Sequence, residues 1–157
     1  HKTVRRQRQM CIRDRSRPKT HRHALKTFRT EAKVLTMPKA RYALLRHTGA
    51  PDDPSGCHFD LLLEDGDACR TWRLQRVPSL DGTSQPAVPL VPHRLIWLEP
   101  RSAAVSGGRG WAERVMAGHY QGNLPDNTAH PLELTLLDGD LRGELRIQQG
   151  HCSIRRA

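Results

Sequence analysis

The chain has 157 residues, enough for one domain with a hydrophobic core and too few for two ordinary domains. Its formal net charge of +10 comes entirely from residues 1–36, which carry 12 Lys/Arg and 2 Asp/Glu, whereas residues 37–157 carry 14 of each kind. The chain after residue 36 is therefore electrically balanced, and its composition excludes a strongly basic domain that binds nucleic acid through overall charge.

The basic segment, residues 1–36, contains Met10-Cys-Ile-Arg-Asp14, which resembles the translated read-through of a transposon adapter used in sequencing libraries. Met37 offers a natural start immediately before the first strand-like stretch. We therefore expect residues 1–36 to be disordered or not native, an artefact of assembly or upstream translation, and residues 37–157 to form one domain. The alternative is a disordered basic arm that binds phosphates. The intact mass of the natively expressed protein distinguishes the two.

The cysteines and the hydropathy pattern indicate the cellular compartment in which the protein resides. The four cysteines, at positions 11, 57, 69 and 152, form no Cys-x-x-Cys pair and no secreted disulfide framework. This usage favours a reducing, cytoplasmic compartment in a bacterium. No apolar run approaches the ~20 residues that a membrane helix requires. We expect a soluble, monomeric, cytoplasmic protein that does not bind a membrane.

From Met37 onward, short strands alternate with turn residues. Residues 78–92 are rich in proline and predict a long excursion rather than a helix, while residues 111–120 fit either a strand or a short helix. The Asp138-Gly139 turn between two alternating runs predicts a β-hairpin. The predicted strands are 41–47, 57–64, 69–75, 94–98, 132–137, 141–147 and 151–156. This spacing predicts a mainly β fold, a small closed or partly closed β-barrel with long loops and little helix.

The stretch from Cys57 to Glu64 carries the clearest chemical pattern in the chain. In a strand, alternate side chains share a face, so His58 and Asp60 point the same way, roughly 6.5–7 Å apart along the strand. Together with His47 they offer two imidazoles and a carboxylate, which suit a divalent metal with positions left for water or a phosphate oxygen. The alternative is a polar pair that faces solvent from an amphipathic strand.

Further residues extend this pattern in a fixed order over residues 41–147. They are His47, His58-Phe-Asp60, Trp72, Pro78-Ser-Leu80, His93, Ser106-Gly-Gly-Arg-Gly110 and Gly118-His-Tyr120. This ordered set resembles the 3′-phosphoesterase domain of bacterial DNA ligase D, and more closely its short stand-alone versions. The resemblance implies a β-barrel enzyme that uses manganese to remove a 3′-phosphate, or a 3′ ribonucleoside and then its phosphate, from DNA.

The resemblance also implies roles for single residues. The two imidazoles of His47 and His58 and the carboxylate of Asp60 become the metal ligands. Arg76 takes the place of a phosphate-binding lysine, and His93 matches a histidine that contacts the phosphate and is needed for activity.

Arg109, in the Gly-rich loop, is a further candidate for binding phosphate through its guanidinium and the backbone amides around it. The alternative is an ordinary turn between two strands.

The chain departs from the family in the part that clamps the phosphate. Leu62 stands where the family has a basic residue, Gln85 where it has an arginine, and Trp97 where it has a tyrosine. The metal half of the site is therefore retained better than the phosphate-clamping half.

We accordingly expect a metal-dependent phosphoesterase, with Mn²⁺ or alternatively Zn²⁺, that processes DNA or RNA/DNA 3′ ends in repair. The expected partners are DNA primer–template 3′ ends and a separate ligase or end-joining machinery. One alternative is a non-catalytic module that binds nucleic-acid ends and has lost its phosphate clamp. Another is a metal-dependent hydrolase for a different phosphate ester.

Overall fold

The structure, a computed structural model, describes residues 38–157, and these residues form nine strands and one 3₁₀ turn. The strands are β1 (Ala40–Thr48), β2 (Cys57–Asp65), β3 (Ala68–Leu74), β4 (Gln85–Arg94), β5 (Ser102–Ala104), β6 (Trp111–Gln121), β7 (Leu132–Leu136), β8 (Gly143–Gln148) and β9 (His151–Arg155), and the 3₁₀ turn is Leu95–Leu98. These described residues belong to one compact unit. The expectations for residues 1–36 lie outside the described residues.

The nine strands belong to one antiparallel sheet in the order β1-β2-β3-β4-β9-β8-β7-β6-β5. β1 pairs with β2 along one edge and with β6 along the other, so eight strands form a ring and β5 lies outside it on β6. Only two residue pairs connect β4 with β9, so the ring is partly closed at that point. The mainly β, partly closed fold predicted from the sequence is confirmed.

One apolar cluster, here called the ring core, takes side chains from all eight strands of the ring. In β7 and β8, buried and exposed positions alternate at every residue, as expected for strands with one face on a core and one in water. Among its fully buried members are Trp72 and Tyr42. Because each fully buried large apolar side chain contributes about 1.5–3 kcal/mol, the ring core is the main source of stability.

A second apolar cluster, here called the outer cluster, covers the opposite face of β1, β2, β3 and β6. It contains Ala43, Leu45, Leu62, Cys69 and Ala112, together with Trp97 and Leu98 from the 3₁₀ turn. The strand predicted at 94–98 is therefore wrong. In a strand, Trp97 and Leu98 would point to opposite faces, whereas a 3₁₀ turn lets both pack on the same cluster.

The stretch 78–92 also differs from the prediction, because its second half belongs to β4. β4 pairs with β3 along its length but contacts β9 only at Gln85 and Pro86, so most of it is an edge strand. Proline has no backbone N–H and is tolerated on an edge, where no hydrogen bond is lost. The proline-rich sequence therefore conceals a strand.

The hairpin predicted around Asp138-Gly139 is confirmed, since β7 and β8 pair along their length. β8 and β9 are joined by Gln149-Gly150, whose φ angles of 50° and 71° are typical of a type I′ turn. Residues 111–120, for which a helix was an alternative, form strand β6. Within the described part of the chain, no helix is long and apolar enough to cross a membrane.

Candidate metal centre

Strand pairing brings His47 and His58 together. β1 and β2 are antiparallel, and their register places His47 directly opposite His58 and Leu45 opposite Asp60. Residues paired in this way have Cβ atoms about 4.5–5.5 Å apart, and alternation puts Asp60 on the same face as His58. Two strands thus deliver two imidazoles and one carboxylate to one spot beside the outer cluster.

The three side chains converge on a point from which solvent is nearly excluded. Nδ1 of His47 lies 3.1 Å from Nε2 of His58. The carboxylate oxygens of Asp60 lie 3.6 Å from Nδ1 of His47 and 3.7 Å from Nε2 of His58. His47, His58 and Asp60 are only 8%, 3% and 2% exposed, so the alternative of a polar pair that faces solvent is wrong. Polar groups buried to this degree require a partner.

Hydrogen bonds on the far side of each ring determine which nitrogen carries the proton. Nε2 of His47 lies 2.6 Å from the carbonyl oxygen of Arg109 and donates to it, because a carbonyl only accepts. Nδ1 of His58 donates to Oδ2 of Asp53 at 2.5 Å. In neutral rings, Nδ1 of His47 and Nε2 of His58 therefore carry lone pairs.

These two lone pairs face each other beside the carboxylate of Asp60. Two acceptors at 3.1 Å repel each other, and Oδ1 of Asp60 is buried without a hydrogen-bond partner. Three acceptors that converge in this way are stabilised by a cation, and this donor set suits several divalent metals. The buried His47–His58–Asp60 group, whose ligand atoms lie within 4.8 Å of one another, could therefore hold a metal ion.

Asp53 holds His58 in this orientation and is itself held by the loop before β2. Its Oδ1 accepts hydrogen bonds from the backbone N–H and the hydroxyl of Ser55, at 2.9 and 2.5 Å, which leaves Oδ2 for His58. These hydrogen bonds, from Ser55 first and His58 second, lower the pKa of Asp53 to about 2. A charged carboxylate behind a metal-binding imidazole fixes its tautomer and raises its basicity.

The carbonyl of Arg109 reaches His47 because the loop between β5 and β6 passes very close to the end of β1. Gly110 has a φ of 88°, and a Cβ at this position would overlap the carbonyl oxygen of Thr48. Only glycine fits such an approach. The loop is closed by a 2.8 Å hydrogen bond from the N–H of Val105 to the carbonyl of Gly110.

The metal-binding group opens into a cleft of about 590 Å³. Of the other predicted site residues, His93 and Arg109 line this cleft. Nδ1 of His93 lies 3.1 Å from the carbonyl oxygen of Val91 and donates to it, which leaves Nε2 available to a ligand. Four of the six predicted site residues therefore line one cleft, and a fifth, His58, is in contact with His47 without lining it.

The sixth, Arg76, lies in the loop between β3 and β4. Its guanidinium donates to the carbonyl and hydroxyl of Thr83 and to the carbonyl of Ser84. Its backbone N–H and carbonyl bond to the side chain of Gln85, which is 2% exposed. Gln85, where the family has an arginine, therefore shapes this loop and does not line the cleft.

The other two positions at which the chain differs from the 3′-phosphoesterase domains that it resembles lie near the His47–His58–Asp60 group. Leu62 is fully buried in the outer cluster, two residues after Asp60 on the same face of β2. Trp97 lines the cleft, and the guanidinium of Arg101 lies 4.7 Å from the centre of its ring. Both residues supply apolar surface and no hydroxyl or cationic group.

The cleft also gathers positive charge. Arg73, Arg94 and Arg109 line it, against the carboxylates of Asp52 and Asp60. No ion pair among residues 38–157 includes Arg94 or Arg109. When a divalent cation neutralises Asp60, the cleft is strongly cationic and suits an anion such as a phosphate ester.

Sequence reasoning missed two residues of this site. Asp53 follows Asp52 in a polar loop, and no local signal shows which carboxylate turns back to His58. Arg73 lies on β3 directly opposite Asp60. A two-residue turn, Gly66-Asp67, joins β2 to β3, so the hairpin register could have identified Arg73 from the sequence.

Comparisons with known proteins give no relationship from which a function can be transferred. No protein-family model matches the chain, and a search of curated proteins finds no significant match. The candidate site therefore rests on its geometry, and the resemblance to the phosphoesterase domain remains a hypothesis.

Proposed function

We propose that the protein is a metal-dependent phosphoesterase that acts on the 3′ ends of DNA, or of RNA joined to DNA, in end processing and repair. The observation that carries the proposal is the His47–His58–Asp60 group, whose acceptor atoms converge on a buried point beside a cationic cleft. The ordered resemblance to the 3′-phosphoesterase domain supplies the substrate class.

The chemistry follows from the residues that line the cleft. His47, His58 and Asp60 hold a divalent cation, which when bound supplies Lewis-acid chemistry by neutralising phosphate charge and making water a better nucleophile. Arg109 lines the same cleft, and its guanidinium, which also donates to the carbonyl and hydroxyl of Ser106, stabilises the non-bridging oxygens as their charge grows. His93, with Nδ1 bonded to a carbonyl, uses Nε2 to donate a proton to the leaving oxygen or to hold the phosphate.

The donor set suits manganese, zinc and iron, and we assign manganese, with zinc as the alternative, on the resemblance. The proposed partners are primer–template 3′ ends and a separate ligase or end-joining machinery in a bacterial cytoplasm. We propose that the protein acts as a monomer.

A non-catalytic module that binds nucleic-acid ends is the second candidate, and a specific observation favours it. Arg76, which resembles the phosphate-binding residue of the family, is bonded within its own loop and does not line the cleft. Leu62 provides apolar surface where the family has a cation. A site that has lost these contacts could bind an end without cleaving it.

The experiment compares the full-length wild type with Asp60→Asn and Asp67→Asn on a primer–template that carries a 3′-phosphate. Asp67 is an exposed carboxylate in the turn between β2 and β3 and serves as the matched control. Each protein is assayed with Mn²⁺, with Zn²⁺ and with a chelator, and a primer with a 3′-hydroxyl controls for other nucleases.

We expect metal-dependent release of phosphate by the wild type and by Asp67→Asn, reduced at least about 100-fold in Asp60→Asn. Tight binding of the primer–template with its 3′-phosphate, without turnover in any metal, would favour the end-binding module. Equal activity on small phosphomonoesters would instead identify a hydrolase for another phosphate ester.

A further inference from the structure

The side chain of Arg73 makes no hydrogen bond to any described residue, although it lies partly inside the molecule. Nε is buried without a hydrogen-bond partner, and Oδ1 of Asp60 lies 3.9 Å from it. Nη1 has only a long contact of 3.5 Å with Oδ2 of Asp52. Both distances exceed those of ordinary N–H···O hydrogen bonds.

A buried donor without an acceptor is unfavourable, and in native structures such a group calls for a specific partner. Arg73 lines the cleft, and its position on β3 is directly opposite Asp60 on β2. Oδ1 of Asp60, at 3.9 Å from Nε, is too far away to be that partner. The acceptor must therefore come from a molecule that enters the cleft.

We propose that Arg73 is a phosphate-binding residue of this cleft, and that Asp52 is the carboxylate that a phosphate replaces beside it. The inference rests on the proposed function for the chemical class of the ligand. The planar guanidinium presents parallel N–H donors that match two oxygens of a phosphate. The side chain of Asp52 is 70% exposed, so it can turn to water when the anion binds.

The test measures binding of inorganic phosphate to the full-length protein by calorimetry, without added metal and with Mn²⁺. The variants are Arg73→Gln, Arg73→Lys and Asp52→Asn. Arg142→Gln is the matched control, because Arg142 is exposed, lies outside the cleft and loses the same charge when substituted. Mn²⁺ affinity and the melting temperature are measured for each protein.

We expect Arg73→Gln to weaken phosphate binding about tenfold or more. Arg73→Lys should weaken it less, because lysine keeps the positive charge but lacks the parallel N–H donors of the guanidinium. Asp52→Asn should tighten phosphate binding about two- to fivefold, since a competing negative charge is removed. Arg142→Gln should stay within about twofold of the wild type, because it leaves the cleft unchanged.

Three results would overturn the inference. One is a wild type that does not bind phosphate under either condition, and another is an Arg73→Gln variant that binds it as Arg142→Gln does. The third is a loss of Mn²⁺ affinity in Arg73→Gln as large as its loss of phosphate affinity, because Arg73 would then act by holding Asp60. If Arg73→Gln does not fold, an unchanged phosphate affinity in both Arg73→Lys and Asp52→Asn overturns it.

Binding is measured without turnover, so the two proposals fail separately. A protein that binds phosphate through Arg73 but releases none from a 3′ end would refute only the proposed function. A protein that releases phosphate equally well without the guanidinium would refute only the role of Arg73.

Discussion

The imidazole of His58 is oriented by a carboxylate outside the predicted ligand set. Oδ2 of Asp53 accepts a 2.5 Å hydrogen bond from Nδ1–H of His58, so the lone pair of Nε2 is directed toward His47 and Asp60. The carbonyl oxygen of Arg109 accepts a hydrogen bond from Nε2 of His47, so the lone pair of Nδ1 is directed toward His58 and Asp60. We therefore expect the affinity of the site for a cation to depend on residues behind the candidate ligands as much as on those ligands.

The role of Asp53 can be tested by Asp53→Asn. An amide is a weaker acceptor than a carboxylate and does not fix the tautomer, so the affinity for Mn²⁺ should fall about 10- to 100-fold. Calorimetry of the full-length protein measures this. Asp52→Asn, one residue away and in contact with Arg73 instead, is the control and should change the Mn²⁺ affinity less than about threefold. Equal losses in both variants would mean that loop charge, not the hydrogen bond to His58, determines affinity.

The ligands could be predicted from the sequence, whereas the residues behind them could not. Strand alternation alone places His58 and Asp60 on one face, and a single antiparallel neighbour is enough to add His47. Asp53 acts from a loop whose path depends on its own hydrogen bonds to Ser55. Two adjacent carboxylates in such a loop are indistinguishable until the backbone is known.

At the level of elements, the loop between β5 and β6 couples the end of β1 to the metal-binding group. Gly110 and Gly108 both have positive φ, 88° and 67°, but they differ in their surroundings. A Cβ at Gly110 would overlap the carbonyl of Thr48, whereas a Cβ at Gly108 would meet no atom within 4 Å. An alanine at Gly108 would therefore introduce backbone strain alone, whereas an alanine at Gly110 would introduce both backbone strain and steric overlap.

We expect Gly110→Ala to lower the free energy of unfolding by at least about 2 kcal/mol and to weaken Mn²⁺ binding, because the loop must withdraw the carbonyl of Arg109 from His47. Gly108→Ala should cost only about 1–2 kcal/mol, the strain of a left-handed alanine, and leave Mn²⁺ affinity unchanged. Urea denaturation and calorimetry give both quantities. Equal effects of the two substitutions on Mn²⁺ affinity would contradict this account of the loop.

An ion-pair network ties β1 to β2 and to the segment after the 3₁₀ turn. Arg41 donates to Glu64 from its backbone N–H, Nε and Nη2 at 2.8–2.9 Å and to Glu99 from Nη1 at 2.8 Å. The hydrogen bonds from Arg41 lower the pKa of Glu64. Because the pKa is lower in the folded state, this stabilisation is present above the unfolded pKa, near 4.5, and is lost as pH falls through the folded pKa.

Glu64→Gln should therefore lower the free energy of unfolding by about 1 kcal/mol at pH 7, an effect limited by partial exposure of the pair. The difference from the wild type should shrink as pH falls from 5 through the lowered pKa of the wild-type carboxylate, which then also becomes protonated. Urea denaturation over this pH range tests it, with the exposed Glu144→Gln as control. A difference that stays constant across the range would show that charge is not its source.

The elements themselves were predicted unevenly, for physical reasons. Strands with one face in solvent, such as β7 and β8, have alternating apolar and polar residues, and this pattern is visible in the sequence. β4 is an edge strand rich in proline, which hides its strand character in the sequence. The 3₁₀ turn is a short apolar run with the same local pattern as a strand, and only its contacts with the outer cluster distinguish the two. Such elements are determined by tertiary contacts more than by local pattern.

Across the molecule as a whole, charge is divided unevenly along the chain. Residues 37–157 carry equal numbers of basic and acidic side chains. Arg94 and Arg109, which belong to no ion pair among residues 38–157, line the cleft together with Arg73. Contacts with DNA by this part of the chain should therefore be few and confined to the end held in the cleft.

Residues 37–157 alone should bind a 3′-phosphate duplex with a shallow salt dependence, a slope of log K against log salt of about −1 to −3. This corresponds to about one to three phosphate contacts. Fluorescence anisotropy over a range of salt concentrations measures the slope, and the full-length chain shows what residues 1–36 add. A slope steeper than about −5 for residues 37–157 would mean that a larger basic surface contacts DNA.

The closure of the ring could not be predicted from the sequence. The pairing of β1 with β6 joins strands separated by more than sixty residues, and no local signal encodes such a contact. The mainly β class was predictable because turn residues recur at regular intervals. The partial opening between β4 and β9 follows from the short register of that pair, which only the tertiary structure shows.

The central claim is that His47, His58 and Asp60 form a metal centre, and calorimetry of Mn²⁺ binding tests it most directly. We predict that one Mn²⁺ binds per full-length chain, that Asp60→Asn weakens this binding at least about tenfold, and that Asp67→Asn leaves it unchanged. If Asp60→Asn binds Mn²⁺ as tightly as the wild type, or if the wild type binds neither Mn²⁺ nor Zn²⁺, the claim is contradicted.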